Sequence, residues 1–395
     1  MVQSHYRRIE NDRGCEVGVG YDDETDVLTD RGWKPWPLVD GTEFLGAVDP
    51  LTGALEYQAP ADVHHRQLRG PMYRVRSEQV DLRVGVDHPL WVQRVDTRAA
   101  RRGEQHFSLE KPDVLLHKRV RYDKTARWLR GIDADVQIPQ TSRTWARSDN
   151  GVQCLRTYPS VAFPARPFAT FLGYFVSEGS INGNHIVLAQ NRGPVLEAMI
   201  RVLGELGLPA YVPASGHGCV RTQCVQLRDY LARLGRAVDK RLPREAQDWT
   251  PEVIRILIKA MVEGDGTTHA VSGHQVIYTA SDVLAGEIQV LAVKAGVSAN
   301  VRVDGRVGQL RVMPNGQSFY NLRPSYVVSL VSKRNRPLVN HGRRQPSRYW
   351  NKDGYNDGFE EYSGGIHSAA VPCGLLLVRR AGKIVVSGAV QGPGP

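Results

Sequence analysis

Hydrophobic positions change their spacing twice along this chain. Up to about residue 90 they fall in short runs: Val27-Leu28-Thr29, Phe44-Leu45-Gly46-Ala47-Val48, Met72-Tyr73-Arg74-Val75 and Leu82-Arg83-Val84. Turn residues separate them: Asp30-Arg31-Gly32, Asp49-Pro50-Leu51-Thr52-Gly53 and Arg69-Gly70-Pro71. Short strands at close spacing predict an all-β unit. From Pro164 the pattern becomes helical mixed with strands. Near Tyr362 it reverts, and 374–378 and 383–386, joined by Arg379-Arg380-Ala381-Gly382, predict a hairpin. β material on both sides of an α/β middle is the layout an inserted domain produces. The expected plan is 1–96 for the first part of the β unit and 97–163 for a linker or DNA-recognition region. An α+β insert follows at 164–345, and 346–395 holds the rest of the β unit with a loose tail.

The insert contains an internal repeat, 164–248 and 249–345. Residues 167–179 read PFATFLGYFVSEG and 251–266 read PEVIRILIKAMVEGDG. Each opens with Pro in a first-turn position, the second after Thr250 as an N-cap. Each ends in an acid and a glycine, Glu178-Gly179 and Asp265-Gly266. A strand (Ile186-Val187-Leu188-Ala189, then Val276-Ile277-Tyr278-Thr279) and a helix closed by Gly207 or Gly296 follow each at near-equal offsets. That regularity predicts a duplication. Gly173 and Ala260 hold matching positions, where two packed helices need small residues. Packing would then bring Glu178 and Asp265 together. Paired carboxylates repel and favour a divalent cation between them, and Mg²⁺ accepts few carboxylates plus water and phosphate oxygens.

Charge adds a partner. The chain has 395 residues, 41% of them apolar, and a net charge of +10. Between residues 300 and 350 stand ten Lys or Arg and one acid, Asp304. A one-sign block suits a polyanion, although a solvated basic face reads the same way. No apolar run is long enough to span a membrane, and the polar start offers no secretory signal, so a cytoplasmic location is expected. Five scattered cysteines do not make a disulfide framework, and His217, Cys219 and Cys224 lack a fourth zinc ligand.

The windows 171–179 (FLGYFVSEG) and 258–266 (IKAMVEGDG) resemble the LAGLIDADG homing endonucleases. The resemblance implies a pseudo-twofold αββαββα fold whose strands form a saddle over duplex DNA. It implies cleavage of double-stranded DNA at a long asymmetric site by a monomer using Mg²⁺ or Mn²⁺. Glu178 and Asp265, with Gly179 and Gly266 beside them, would form the metal site. Lys333 is the expected basic residue near the scissile phosphates. Arg228, after the strand-like Val225-Gln226-Leu227, is its counterpart in the first copy. Arg302, Arg306, Arg311, Arg323, Arg334 and Arg336 are the expected DNA contacts.

The flanks resemble the Hint fold of inteins. Tyr21 to Thr29 with Gly32-Trp33-Lys34-Pro35 is similar to the first splicing block, and Val86-Asp87-His88-Pro89 to the block with the assisting histidine. Val371-Pro372 through Gly388-Ala389 is similar to the C-terminal blocks. The resemblance implies autocatalytic splicing from flanking extein segments. The splicing residues depart from the pattern. Cys15 stands a few residues early for the nucleophile, and Gly85 replaces a Thr. Ser368 stands where Asp or Cys is usual, and Ala389 replaces the cyclising Asn before Val390. A Hint domain whose splicing is impaired, by natural loss or by an engineered change such as Asn to Ala, is therefore expected, with a self-splicing intein and an inactive nuclease kept for DNA binding or structure as the alternatives.

Overall fold

The computed structural model describes residues 18–95, 106–146, 153–214, 218–305, 307–312, 318–320, 322–333, 335–341 and 348–390. The chain divides into two compact units, 1–127 with 332–395, and 128–331. The expected linker is therefore no linker. Its first part supplies strands Ser108–Glu110 and Val120–Tyr122 to the first unit, and its second part supplies Val136–Ile138, Thr141–Ala146, Gln153–Tyr158 and Val161–Phe163 to the second. The far boundary falls at 331 rather than 345, because Leu338–Val339 pairs with Val120–Tyr122 in the first unit.

The first unit is built almost wholly of strands. Asp62–Arg76 runs antiparallel to Asp357–Ala370 from Asp62↔Ala370 to Val75↔Asp357. The turn expected at Arg69-Gly70-Pro71 is absent, because this pairing carries the strand straight through. Pro71 is tolerated because pairing on the other edge, with Asp81–Gly85, starts only at Met72. The tail hairpin forms from Leu375–Arg380 and Lys383–Gly388. Its turn residues Ala381 and Gly382 both have positive φ (45° and 70°), the requirement of a two-residue hairpin turn. Tyr21, Trp36, Tyr73, Leu82, Leu90, Leu376 and Val385 fill its core.

The second unit shows the repeat. The first copy runs helix Ala165–Glu178, strands Gly179–Asn182 and His185–Ala189, helix Pro194–Glu205 and strand Cys219–Thr222. The second runs helix Pro251–Asp265, strands Gly266–Thr268 and Gln275–Thr279, helix Asp282–Lys294, then strands Ser298–Val303 and Tyr326–Val331. In the second copy Tyr326–Val331 lies between Gln275–Thr279 and Ser298–Val303. In the first copy Cys219–Thr222 holds the middle place beside His185–Ala189, and its other neighbour has shrunk to one bridge, Tyr211 to Arg221. Pro209 and Pro213 flank Tyr211 and cannot donate to a ladder, so among the described residues the expected fourth strand of that copy is reduced to this bridge.

Phe168, Phe171, Leu172 and Phe175 of one motif helix and Val253, Ile254, Leu257 and Met261 of the other share one core. Thr250 caps the second helix by accepting from the Val253 amide, and Pro251 opens it. Among the described residues no helix is long and apolar enough to cross a membrane, and the four described cysteines are free thiols.

Candidate active site

The two motif helices cross where their backbones touch. A Cβ at Gly173 would lie 2.6 Å from the Ala260 Cβ and 2.7 Å from the Leu257 carbonyl oxygen. Ser177 donates to the Gly173 carbonyl at 2.8 Å and reaches the Met261 carbonyl at 3.3 Å on the facing helix. Tyr174 donates to Glu263 across the same seam at 2.8 Å. At the C-terminal ends, a Cβ at Gly264 would lie 2.9 Å from the Ser177 Cβ and 3.6 Å from the Glu178 Cγ. The repeat thus brings Glu178 and the Gly264-Asp265 end into contact range.

Glu178 is half-buried and Asp265 is exposed, and both carboxyls are pushed above the usual range. Burial is the main cause for each, and the Asp265 charge pushes Glu178 further. Lys240 pulls both back down. Its side chain is buried, and Nζ donates to the Phe175 carbonyl at 3.0 Å and the Gly179 carbonyl at 2.8 Å. Burial lowers the ammonium to about 8, and the two acids hold it up against that. Lys240 ends a closed loop in which Arg241 N bonds to Leu234 O at 2.8 Å. Gly235, with φ of 79°, has no room for a Cβ, which would meet the Asp239 carbonyl oxygen at 2.2 Å. Ser281, the N-cap of helix Asp282–Lys294, fixes the loop from the other copy by donating to the Lys240 carbonyl at 2.7 Å. A cavity of about 550 Å³ opens here, lined by Glu178, Ser180, Arg236 and Lys240 among others.

The donor set fits a hard divalent cation. Two converging, partly desolvated carboxyls are relieved by a 2+ charge, and Mg²⁺ keeps water and phosphate oxygens as its other ligands. Among the described residues no three His, Cys, Asp or Glu gather into a closed cage. Lys240 was invisible in the sequence, since no period or motif marks it and only the fold carries it to the acids.

The other expected residues are scattered. Arg228 lies on helix Val225–Ala232, not after a strand. It is buried and bonds Asn184 Oδ1 at 2.6 Å and Asp229 at 2.9 Å, so its charge is used within the fold. Arg302 and Arg323 are exposed. Arg336 is exposed, pairs with Asp123 at 3.3 Å and lies over the Phe107 ring. Lys333 is exposed just past strand Tyr326–Val331, on the first-unit side of the boundary. Arg306, Arg334 and Cys15 lie outside the described residues, as does the side chain of Arg311.

In the first unit, His88 is fully buried and sits 4.4 Å from the Tyr21 ring. Its Nε2 is 3.3 Å from Ser387 Oγ, and its Nδ1 has no hydrogen-bond partner among the described residues. Burial pushes it down to about 3, so it is a neutral imidazole. Tyr21 donates to the Gly388 carbonyl at 2.6 Å, and Gly388 N bonds Pro89 O at 3.1 Å. Asp87 N bonds Gly18 O at 2.9 Å, and Ala389 N bonds Gly374 O at 2.8 Å. Residue 18 and residues 388–389 thus converge on the segment around His88. Gly85 stands where Thr was expected for a steric reason: a Cβ there would lie 2.1 Å from the Gly18 carbonyl oxygen. Ser368 is buried opposite His64.

No family model matches the chain. It is 23% identical over 350 residues to the "ATP-dependent Clp protease proteolytic subunit" of Chlamydomonas moewusii, covering 78% of this chain and 33% of that protein. It is 25% identical over 419 residues to the "DNA-directed RNA polymerase subunit beta C-terminal section" of Stigeoclonium helveticum, covering 94% and 36%. The chain spans about a third of the length of the curated relatives it matches. Among solved structures it is similar to mesophilic variants of the homing endonuclease I-DmoI (TM-score 0.31, 13% identity, 43% of this chain and 91% of that one). It is also similar to I-DmoI in complex with DNA and Mn (0.29, 14%, 42% and 89%) and to full-length DUF199/WhiA from Thermatoga maritima (0.29, 8%, 43% and 52%).

Proposed function

We propose that the second unit is a divalent-metal-dependent endonuclease that cuts double-stranded DNA, carried as an insert within a Hint-type β unit. The observation that carries this reading is the convergence of Glu178 and Asp265 at the ends of two tightly packed, duplicated helices, with the charge of the buried Lys240 acting on both. Both motifs lie in one chain, which supports a monomer reading an asymmetric site. Matches over 78% and 94% of the chain fall on about a third of two proteins whose names denote unrelated activities, which supports a transferable insert over a part of either machine. Glu178 and Asp265 would hold Mg²⁺ or Mn²⁺, which supplies an activated water and neutralises charge at a phosphodiester. Lys240 holds a positive charge at the acids, and Lys333, Arg302 and Arg323 are the proposed phosphate contacts. The test is cleavage of a randomised duplex pool with and without Mg²⁺. Tight, salt-sensitive duplex binding without cut fragments would retire the nuclease and leave a DNA-binding protein.

Lys240 gives this reading a pH signature. Cleavage is expected to rise as the two acids ionise and to fall near pH 8 as Lys240 loses its proton. Lys240→Met should cut about a hundredfold more slowly at pH 7 and lose the alkaline limb. A variant with the parent's alkaline limb would mean that Lys240 serves only the fold.

The convergence of residues 18 and 388–389 at His88 favours a second reading, a splicing-type β unit. With Ala389 and Val390 in place of the reactive residues, expression between two flanking protein segments should give uncleaved precursor by mass spectrometry. A ligated product would overturn that expectation.

A further inference from the structure

A chain of hydrogen-bonded side chains in the first unit holds one proton more than its neutral groups can supply. The paired long strands place His65 opposite His367. The two Nδ1 atoms face each other at 2.8 Å. His65 Nε2 lies 2.7 Å from the Val39 carbonyl oxygen, and His367 Nε2 lies 2.9 Å from Asp23 Oδ1. Asp23 Oδ2 also accepts from the Tyr362 hydroxyl at 2.8 Å and the Gly365 amide at 2.7 Å.

Counting hydrogens fixes the protonation state. A carbonyl oxygen only accepts, so His65 Nε2 carries a hydrogen. One hydrogen lies between the two Nδ1 atoms. An ionised carboxylate only accepts, so His367 Nε2 carries a third. Two neutral imidazoles own two hydrogens between them, not three. The carboxyl is the ionised partner: burial pushes it up, but the bonds from His367, Tyr362 and Gly365 together hold it below its usual range.

We propose that His65 and His367 share a single positive charge clamped by Asp23, forming a pH-operated latch that ties the 21–25 turn to the two long strands. When the third proton leaves, one of the contacts becomes acceptor against acceptor and opens. His367 is buried, whereas the Asp23 side chain is 44% exposed, so the proton exchanges with solvent at that end. The neighbouring charges are occupied elsewhere. Asp22 pairs with Arg83 and Arg380, and Glu24 with Arg380. Arg83 lies over the Tyr362 ring at 5.3 Å, and His64 turns to the other face of its strand onto Asp62. Tyr21, two residues before Asp23, bonds Gly388 and packs on His88, so opening the latch loosens the wall of that site. The latch does not depend on the nuclease reading.

Asp23→Asn is the discriminating variant. An Asn amide donates to His367 Nε2 while its oxygen still accepts from Tyr362 and Gly365, so two neutral imidazoles satisfy every contact. Amide exchange of Gly365, corrected for its intrinsic pH dependence, should lose roughly tenfold protection as pH is raised in the parent. It should stay flat in Asp23→Asn. An equal slope in both would overturn the latch. Nitrogen-15 histidine spectra of the parent, with His65→Gln and His367→Gln for assignment, count the ring N–H groups directly. Three on the pair with Gly365 protected supports the shared charge, and two under the same conditions refutes it whether or not the variants fold.

Discussion

Exchanging Glu178 for Gln, or Asp265 for Asn, should slow divalent-dependent DNA cleavage on the order of a thousandfold or more while duplex binding survives. Each change keeps the side-chain volume and removes only the charge. The same variants should be more heat-stable than the parent at pH 7. Both carboxyls are raised in the folded protein, chiefly by burial. The fold therefore binds more protons than the unfolded chain over the window between the ordinary and raised values, and stability falls as pH rises through it. An amide has no such penalty. Melting curves of the double variant should lose that acid-side slope. Parent-level cutting by both single variants would remove these two residues from the chemistry altogether. A stabilised but inactive protein would identify a site kept against the interest of the fold.

Gly173→Val should destabilise the second unit by about 3 kcal/mol, lowering its midpoint by roughly 6–12 °C for a unit of this size. The new Cβ would meet the Ala260 Cβ and the Leu257 carbonyl oxygen well inside van der Waals contact, and the oxygen belongs to a helix that cannot rotate away. The helices must separate, and the ends that carry the acids must separate with them. Cleavage should therefore drop even at temperatures where the variant is fully folded. Ala260→Gly in the same protein relieves one of the two clashes and should return part of the loss, a coupling readable from a double-mutant cycle. A fully additive cycle would mean that positions 173 and 260 do not touch.

The helices, the duplicated acids and the tail hairpin were legible because each writes a local pattern. Glu178 and Asp265 announce themselves through two copies of one period, and Gly173 and Ala260 through their shared place in it. Lys240 was not legible. It comes 62 residues after Glu178, and Ser281 of the other copy sets its position. Arg228 misled because three apolar-leaning residues cannot tell a strand from the first turn of a helix. The Gly70-Pro71 turn misled because a long partner strand outweighs a local breaker. Residues 97–163 looked like a linker because their strands are only three to six residues long, too short to write a clear alternation, and Val120–Tyr122 takes a partner more than 200 residues away. The His65–His367 pair carries no sequence signal, since the register of strands about 300 residues apart creates it.

That same register governs how the protein is made. Residues 62–76 leave the ribosome long before their partner at 357–370 exists. At ordinary elongation rates the wait is roughly 15–60 s. In that time the contiguous unit at 128–331 is complete, while residues 62–71, with Val63 and Leu68, lack a partner strand and residues 72–76 have only their edge toward Asp81–Gly85 paired. Such a segment is a template for mispairing, and closing so long a loop is slow. Rapid folding of the middle shortens the effective loop by fixing residues 128 and 331 within one body. The insert thus acts as an intramolecular splint for the β unit around it, and the yield of that unit should depend on codon choice and growth temperature across the interval.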